Sequence, residues 1–169
     1  MTDPAFARAL RRRWPTGVAI VTTTAPDGTL RGATAGSLMM LSLAPPTIAL
    51  GLATESSFHQ LLANGRPFAV AILDRGGEFL ADRFAGRAPV PDTRFAGIPH
   101  TMTQIDGVSI PVLAGPAILA WAGCRVTAVQ RSGDHALIVG AVLDGALGDD
   151  TDDPLLFYEG HYRGLEVQR

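Results

Sequence analysis

The sequence predicts a mainly β fold, an antiparallel β-barrel carrying a few short helices, and three observations predict it. Short runs rich in Val, Ile and Thr recur along the 169 residues, punctuated by Gly, Pro, Asn and Asp. Two long β-like segments, 116–130 and 136–147, are joined by Arg131-Ser132-Gly133-Asp134-His135, the spacing of a hairpin. Helical patterns are short and do not alternate with strands as βαβ crossovers would. The length is that of one domain with a core of its own.

Taken in order, Thr2-Asp3-Pro4 reads as a helix start, with an N-cap and a proline in the first turn. Phe6, Leu10 and Trp14 recur every four residues while arginines fill other positions, so an amphipathic helix is expected, ended by Pro15. A strand is expected over 17–25. Pro26-Asp27-Gly28 then turns the chain into a second strand running from Thr29 through Leu43. After Pro45-Pro46, Thr47–Ala53 reads as a buried strand, and Ser56-Ser57 opens a short helix closed by Asn64-Gly65. Phe68–Leu73 is a strand and Glu78–Phe84 has helical spacing. Residues 86–97 read as an irregular loop. Short strands follow from Ile98, then the long hairpin, an acidic turn over 149–153, a last strand at 155–158, and a closing Gly160-His161-Tyr162-Arg163.

Composition narrows the function. Net charge is −2, which gives no electrostatic case for nucleic acid or an anionic membrane. Residues 36–53 are almost entirely apolar, but Pro45-Pro46 at their centre favours two strands over a membrane span. No signal-peptide pattern follows the N-terminal arginines, so a cytoplasmic protein is expected. Apolar residues make up 47% and charged ones 18%, a balance that suits a homo-oligomer with an apolar interface. The single Cys124, in an apolar run, reads as a buried small hydrophobe.

Candidate chemistry concentrates in a few places. Gly32-Ala33-Thr34-Ala35-Gly36-Ser37 is a run of small residues in an extended segment, where a flat ligand can approach the main chain; on local pattern alone it reads first as a bulge or bend in a barrel strand. Ser56-Ser57 at a helix start reads as an N-cap or as an anion site. His135 stands at the hairpin mouth beside Asp134, although neighbours on a strand point to opposite faces. Arg83 reads as a surface charge with a packed stem, or as a second phosphate anchor. The histidines show no metal-ligand spacing, and neither Gly-x-Gly-x-x-Gly nor a Walker loop occurs.

The ordered set of motifs resembles the short-chain flavin reductase family, whose fold is the FMN-binding split barrel of antiparallel Greek-key type. The likeness runs from about Phe6 to Leu165. It is carried by Arg12-Arg13-Trp14-Pro15-Thr16-Gly17-Val18, by residues 32–37 with Ser42 and Pro45-Pro46, and by Ser56-Ser57-Phe58-His59. Arg83-Phe84-Ala85-Gly86, Gly133-Asp134-His135 with Gly140, and Pro154–Tyr158 with Gly160 and Tyr162 complete it. The resemblance implies an NAD(P)H:flavin oxidoreductase that reduces FMN or FAD with NADH, less readily NADPH. It further implies a homodimer and a partner flavin-dependent monooxygenase. It puts Thr34, Ala35, Gly36, Ser37 and Leu38 against the flavin ring and ribityl chain, Ser42 on the ribityl-phosphate side, and Ser56 and Ser57 on the phosphate. Arg83 and Phe84 join the cofactor-binding set, His135 and Tyr162 lie near the nicotinamide, and Arg163 contacts nucleotide. Gly36 and Met40 depart from the pattern, for they lack polar side chains common in the family. The alternative from the same likeness is a flavin-binding carrier without reductase activity.

Overall fold

The computed structural model describes residues 3–87, 94–148 and 153–165. Asp3 accepts a hydrogen bond from the N–H of Ala5 at 2.9 Å and so caps helix α1 (Pro4–Arg12), as the Asp-Pro start predicts. The expected strand over 17–25 is two pieces, β1 (Thr16–Gly17) and β2 (Ala19–Thr24). Val18 separates them because its N–H donates to Leu155 and its carbonyl accepts from Leu73, which turns the chain from one sheet into another.

The strand expected from Thr29 to Leu43 is likewise divided. Its halves are β3 (Leu30–Ala35) and β4 (Leu38–Leu43), separated by Gly36 and Ser37. The chain continues through β5 (Pro46–Ala53), α2 (Ser57–Ala63), β6 (Phe68–Leu73) and α3 (Glu78–Phe84). The hairpin β7 (His100–Ile105) with β8 (Val108–Leu113) comes next, then the long hairpin β9 (Ile118–Ser132) with β10 (His135–Leu147). Strands β11 (Leu156–Tyr158) and β12 (His161–Arg163) end the described chain. Of the expected loop over 86–97, residues 88–93 lie outside the described residues, as do residues 149–152 of the acidic turn.

Seven strands form one antiparallel sheet in the order β3-β2-β6-β9-β10-β5-β4. The β9–β10 hairpin thus inserts between β5 and β6. The two outermost strands, β3 and β4, are consecutive in sequence. Seven flat strands would hold their edges almost 30 Å apart at about 4.8 Å per strand. The three Cα steps from Ala35 to Leu38 span at most about 11 Å. The sheet therefore has to curl until its edges approach each other at Gly36-Ser37. A hydrogen bond from the N–H of Gly51 on β5 to the Ser37 carbonyl, 2.9 Å, holds that corner.

The curl encloses a core of Val21, Leu50, Phe68, Val70, Cys124 and Ile138, with Phe58 and Leu62 of α2 stoppering one end. Burial pushes the Cys124 thiol up to about 12, as expected of a cysteine that packs as a hydrophobe. A second cluster, including Ile20, Leu73, Phe84, Phe95 and Leu155, seals α3 against the outside of the sheet. The β7–β8 hairpin covers a third patch. Buried hydroxyls tie it down: Thr22 donates to the carbonyl of Pro111 and Thr24 to that of Ser109. No helix among the described residues is long and apolar enough to cross a membrane.

Two surfaces stay apolar and uncovered. Helix α1 is amphipathic as predicted but ends at Arg12, before Trp14, and buries nothing: Phe6, Leu10 and the following Trp14 are all more than half exposed. Met39, Met40, Leu41 and Leu43 on the edge strand β4 are also exposed.

Inside the core, packing at Gly140 leaves no room for a side chain. A Cβ at Gly140 would lie 2.6 Å from Phe68 Cζ and 3.0 Å from Cys124 Cβ, whereas one at Gly17 would meet nothing within 4 Å. Overpacking of this kind costs about 1–3 kcal/mol. Gly140→Ala is expected to lower the urea midpoint by that amount of stability and Gly17→Ala to leave it nearly unmoved, read from equilibrium denaturation of both variants.

Candidate functional site

β3 and β4 are the two edge strands and meet at the Gly36-Ser37 corner, where a seam opens between them; alternate N–H and C=O groups on each lie outside the ladder, and the Gly32 carbonyl of β3 accepts from Arg94. Backbone recognition of a flat ligand, read from the small residues, thus has a physical source. Only small side chains border the corner of the seam. A Cβ at Gly36 would come within 2.8 Å of the Thr16 hydroxyl, and one at Gly51 within 3.2 Å of Ser37 Cβ and Oγ. Ser37 uses its hydroxyl to grip β5, donating to the Gly51 carbonyl at 2.7 Å.

From that corner β5 leads directly to the other candidates. Two residues beyond Gly51, Ala53 pairs with His135 of β10. Gly133, with a φ of 62°, opens the tight turn between β9 and β10, as a two-residue hairpin with glycine at its first position requires. Because Asp134 lies in that turn and not on a strand, its carboxylate reaches Nδ1 of His135 at 2.8 Å. The expectation that neighbours diverge fails here for that reason. With Asp134 ionised, Nδ1–H donates and Nε2 is the remaining ring nitrogen. The same hydrogen bond holds the Asp134 carboxyl below the usual carboxylate range. The turn is clasped to the start of α2: the Asp134 carbonyl accepts from the N–H of Thr54 at 3.0 Å and from its hydroxyl at 3.1 Å.

Ser56 caps α2 by accepting from the N–H of His59 at 3.0 Å, and Ser57, in the first turn, is exposed. Ser42 is half-buried on β4 beside a bulge in its pairing with β5, and Leu38 packs its side chain on the core. One end of the curled sheet thus gathers Gly36, Ser37, Ser56, Ser57 and His135. Gly51 and Thr54 belong to the same group but were not among the sequence candidates. An isolated glycine inside the strand 47–53 was a usable signal for Gly51. Nothing local marked Thr54.

Several candidates turn elsewhere. Ala35 is buried in the core, and Thr34 donates its hydroxyl to the Ala81 carbonyl of α3 at 2.6 Å, so both present only main chain to the seam. Phe84 is fully buried and packs edge-on against Phe95, 5.1 Å between centroids; it belongs to the core and not to a ligand face. Arg83 is not a surface charge. Its buried guanidinium donates to the carbonyls of Arg94 at 2.8 Å and Ala96 at 2.6 Å, which fixes the segment after the 88–93 stretch. Sequence spacing put both on α3 correctly but could not show that α3 lies flat on the sheet.

Tyr162 donates its hydroxyl to Asp82 at 3.0 Å and stacks edge-on with Phe157, so its direct contacts are with α3 and β11 and not with His135. Its sheet nonetheless borders the corner, since β1 carries Thr16 and pairs with β11. Arg163 is exposed and lines a recess of about 350 Å³ with Pro15 and Leu156.

These features define a curled antiparallel β protein whose candidate site residues gather at the small-residue corner at one end. A family model for the flavin reductase like domain matches residues 11–166, and the chain belongs to that family. It is 36% identical over 154 residues to a flavin reductase (NADH) of Kitasatospora aureofaciens, covering 91% of this chain and 78% of that one. It is 30% identical over 161 residues to the reductase component of a 4-hydroxyphenylacetate 3-monooxygenase of Thermus thermophilus, covering 95% of each. Its fold is similar to that of an NADH:FAD oxidoreductase of Streptomyces globisporus, with a TM-score of 0.83, 28% identity, and coverage of 100% of this chain and 93% of that one.

Partial burial, then the hydrogen bond to Asp82, push the Tyr162 phenol up to about 12. The folded state holds its proton more tightly than the unfolded chain. Its contribution to stability is therefore complete below the ordinary tyrosine value near 10 and is lost as pH rises from there through about 12. Ultraviolet titration of the phenolates is expected to show a step near 12 that disappears in Tyr162→Phe, together with a flatter loss of stability above pH 10.

Proposed function

We propose that this protein is an NADH:flavin oxidoreductase whose flavin, FMN or FAD, lies in the seam at the Gly36-Ser37 corner. The observation that carries the reading is the corner itself. Gly36, Ser37 and Gly51 form a surface without bulky side chains, beside edge strands whose main-chain groups are free to bond a planar ring. A flavin suits such a lining, because Gly36 and Ser37 are exposed and add little side-chain bulk. When bound, the flavin supplies the hydride acceptor and NADH the donor.

The protein's part is binding, orientation and exclusion of water. Main-chain groups of Thr34, Ala35, Gly36, Ser37 and Leu38 hold the ring and ribityl chain, with Ser42 on the ribityl side and Ser56 and Ser57 on the phosphate. Ser57, exposed and free of the capping bond, is the better placed of the two hydroxyls. His135, held through Nδ1 by Asp134, turns Nε2 toward the nicotinamide and fixes its approach. The sheet carrying Tyr162 and Arg163 walls the other side. No residue need act as an indispensable acid or base, because the hydride passes between two cofactors.

Reduced flavin made here is proposed to serve a separate monooxygenase, in keeping with the reductase component found among the relatives. The uncovered faces support a homodimer. The exposed Met39, Met40, Leu41 and Leu43 side chains of β4 form an apolar face that a second chain would cover.

NADH oxidation followed by absorbance is expected to require both the protein and added flavin. His135→Ala should lower kcat/KM for NADH by about 10- to 100-fold while flavin affinity, read by fluorescence, changes little. Flavin binding without NADH oxidation would instead identify a carrier.

Light scattering on a sizing column should give twice the 17.7 kDa chain mass. The double substitution Met39→Lys with Leu41→Lys should return the protein to a single chain, since charges placed in an apolar interface oppose association.

A further inference from the structure

His135 lies on the same face of the sheet as the Gly36-Ser37 corner. Leu52 and Ala136, paired with each other, are buried in the core, so Gly51 and Ala53 on β5 and their partners Leu137 and His135 on β10 all point outward. Two steps along one strand, about 7 Å, thus separate Gly51 from the residue that pairs with His135. Ser37 is bonded to both main-chain groups of Gly51, the N–H at 2.9 Å and the carbonyl at 2.7 Å. The corner end of this short spacer is therefore fixed.

The other end needs an anchor of its own. Asp134 and His135 are open to water, with side chains 95% and 51% exposed, and an exposed pair of this kind holds a ring only weakly. Hairpin tips also open readily. The ladder between β5 and β10 ends at Ala53 and His135, and Thr54 carries the contact one residue further. Its N–H and its hydroxyl both donate to the Asp134 carbonyl, at 3.0 and 3.1 Å, which occupies both lone pairs of that oxygen. Thr54 is itself held in place, because the N–H of Ser56 returns to the Ala53 carbonyl at 3.0 Å and closes a turn around it.

We propose that Thr54 is a positioning residue for hydride transfer from NADH to flavin: through the Asp134 carbonyl it holds the His135 ring at a fixed distance from the Ser37–Gly51 corner. The inference rests on the flavin reductase reading and gives a role to a residue which that reading leaves unassigned. Residues 51–54 of one chain segment then set the spacing between the flavin contact and the nicotinamide contact, and Thr54 touches neither ligand. Its effect falls on orientation, to which hydride transfer is most sensitive, and not on affinity.

A single turnover tests it on the full chain: protein loaded with FMN is mixed without oxygen with saturating NADH, and the loss of oxidised-flavin absorbance is timed. Thr54→Val, which keeps the shape and loses the hydroxyl, should slow that step about tenfold while flavin affinity, read by fluorescence, stays within about twofold. Thr54→Ser returns the hydroxyl and should restore the wild-type rate. In a His135→Ala background, Thr54→Val should cost nothing further, because the two residues act through one ring. An unchanged rate in Thr54→Val, a fall in flavin affinity as large as the fall in rate, or a full additional loss in the His135→Ala background overturns the proposal. The proton on His135 Nδ1 gives a reading that needs no cofactor. Its NMR resonance should persist in the wild type and in Thr54→Ser and be lost to solvent exchange in Thr54→Val; a resonance equally sharp in Thr54→Val overturns the proposal. If the wild-type protein oxidises no NADH, the reductase reading fails, while that resonance still decides whether Thr54 holds the ring.

Discussion

Two residues connect the opposite edges of a seven-stranded sheet, and the rest of the molecule follows from that short tether. Because Gly36 and Ser37 cannot span a flat sheet, the strands must curl, and the curl creates both an interior for the core and a seam between two unpaired edges. The seam is where edge main-chain groups lie outside the ladder, so the restraint that shapes the barrel also places the surface proposed to bind flavin. The hydrogen bonds between Ser37 and Gly51 keep the corner from opening, and the Thr54–Asp134 clasp carries that rigidity on to the hairpin tip. Chemistry performed by bound cofactors asks for such a frame, because proximity and orientation are what the protein contributes.

Much of this was legible in the residues. Strand positions, the two short helices after Ser57 and Glu78, and the long hairpin follow from periodicity and turn chemistry, because those signals are local. The break at Gly36 was not legible. Thr29 to Leu43 has one continuous strand-like pattern, and only long-range pairing sends its halves to opposite edges. Arg83 and Phe84 show the same limit from another side. Their helix was read correctly, but which of its faces would be buried depended on a sheet formed by residues distant in sequence. His135 failed in a smaller way: the alternation rule was applied to a residue pair of which one member belongs to a turn. Thr54 had no signal because its role is a contact with residue 134.

The uncovered apolar surfaces complete the picture of a chain whose exterior is divided by purpose. Helix α1 and strand β4 expose Phe6, Leu10, Met39, Met40, Leu41 and Leu43, whereas α3 and the β7–β8 hairpin, apart from Phe79 and Met102, pack against clusters of their own. The arginines near α3 serve this sealing. Arg83 and Arg94 spend their guanidinium groups on backbone carbonyls of Gly32, Phe84, Arg94 and Ala96, giving partners to polar groups that helix and loop would otherwise bury unsatisfied.

Cys124 sits at the centre of the main sheet, wholly buried, with its thiol held far from ionisation. Thiolate, not thiol, attacks disulfides and alkylating reagents, so the native molecule is silent toward both. Strand β9 pairs there with β6 on one side and β10 on the other, and no local fraying can bare the sulfur without parting the middle of the barrel. The single cysteine is in effect a latch indicator: its modification records how often the whole sheet opens, and with that how long a molecule survives between openings.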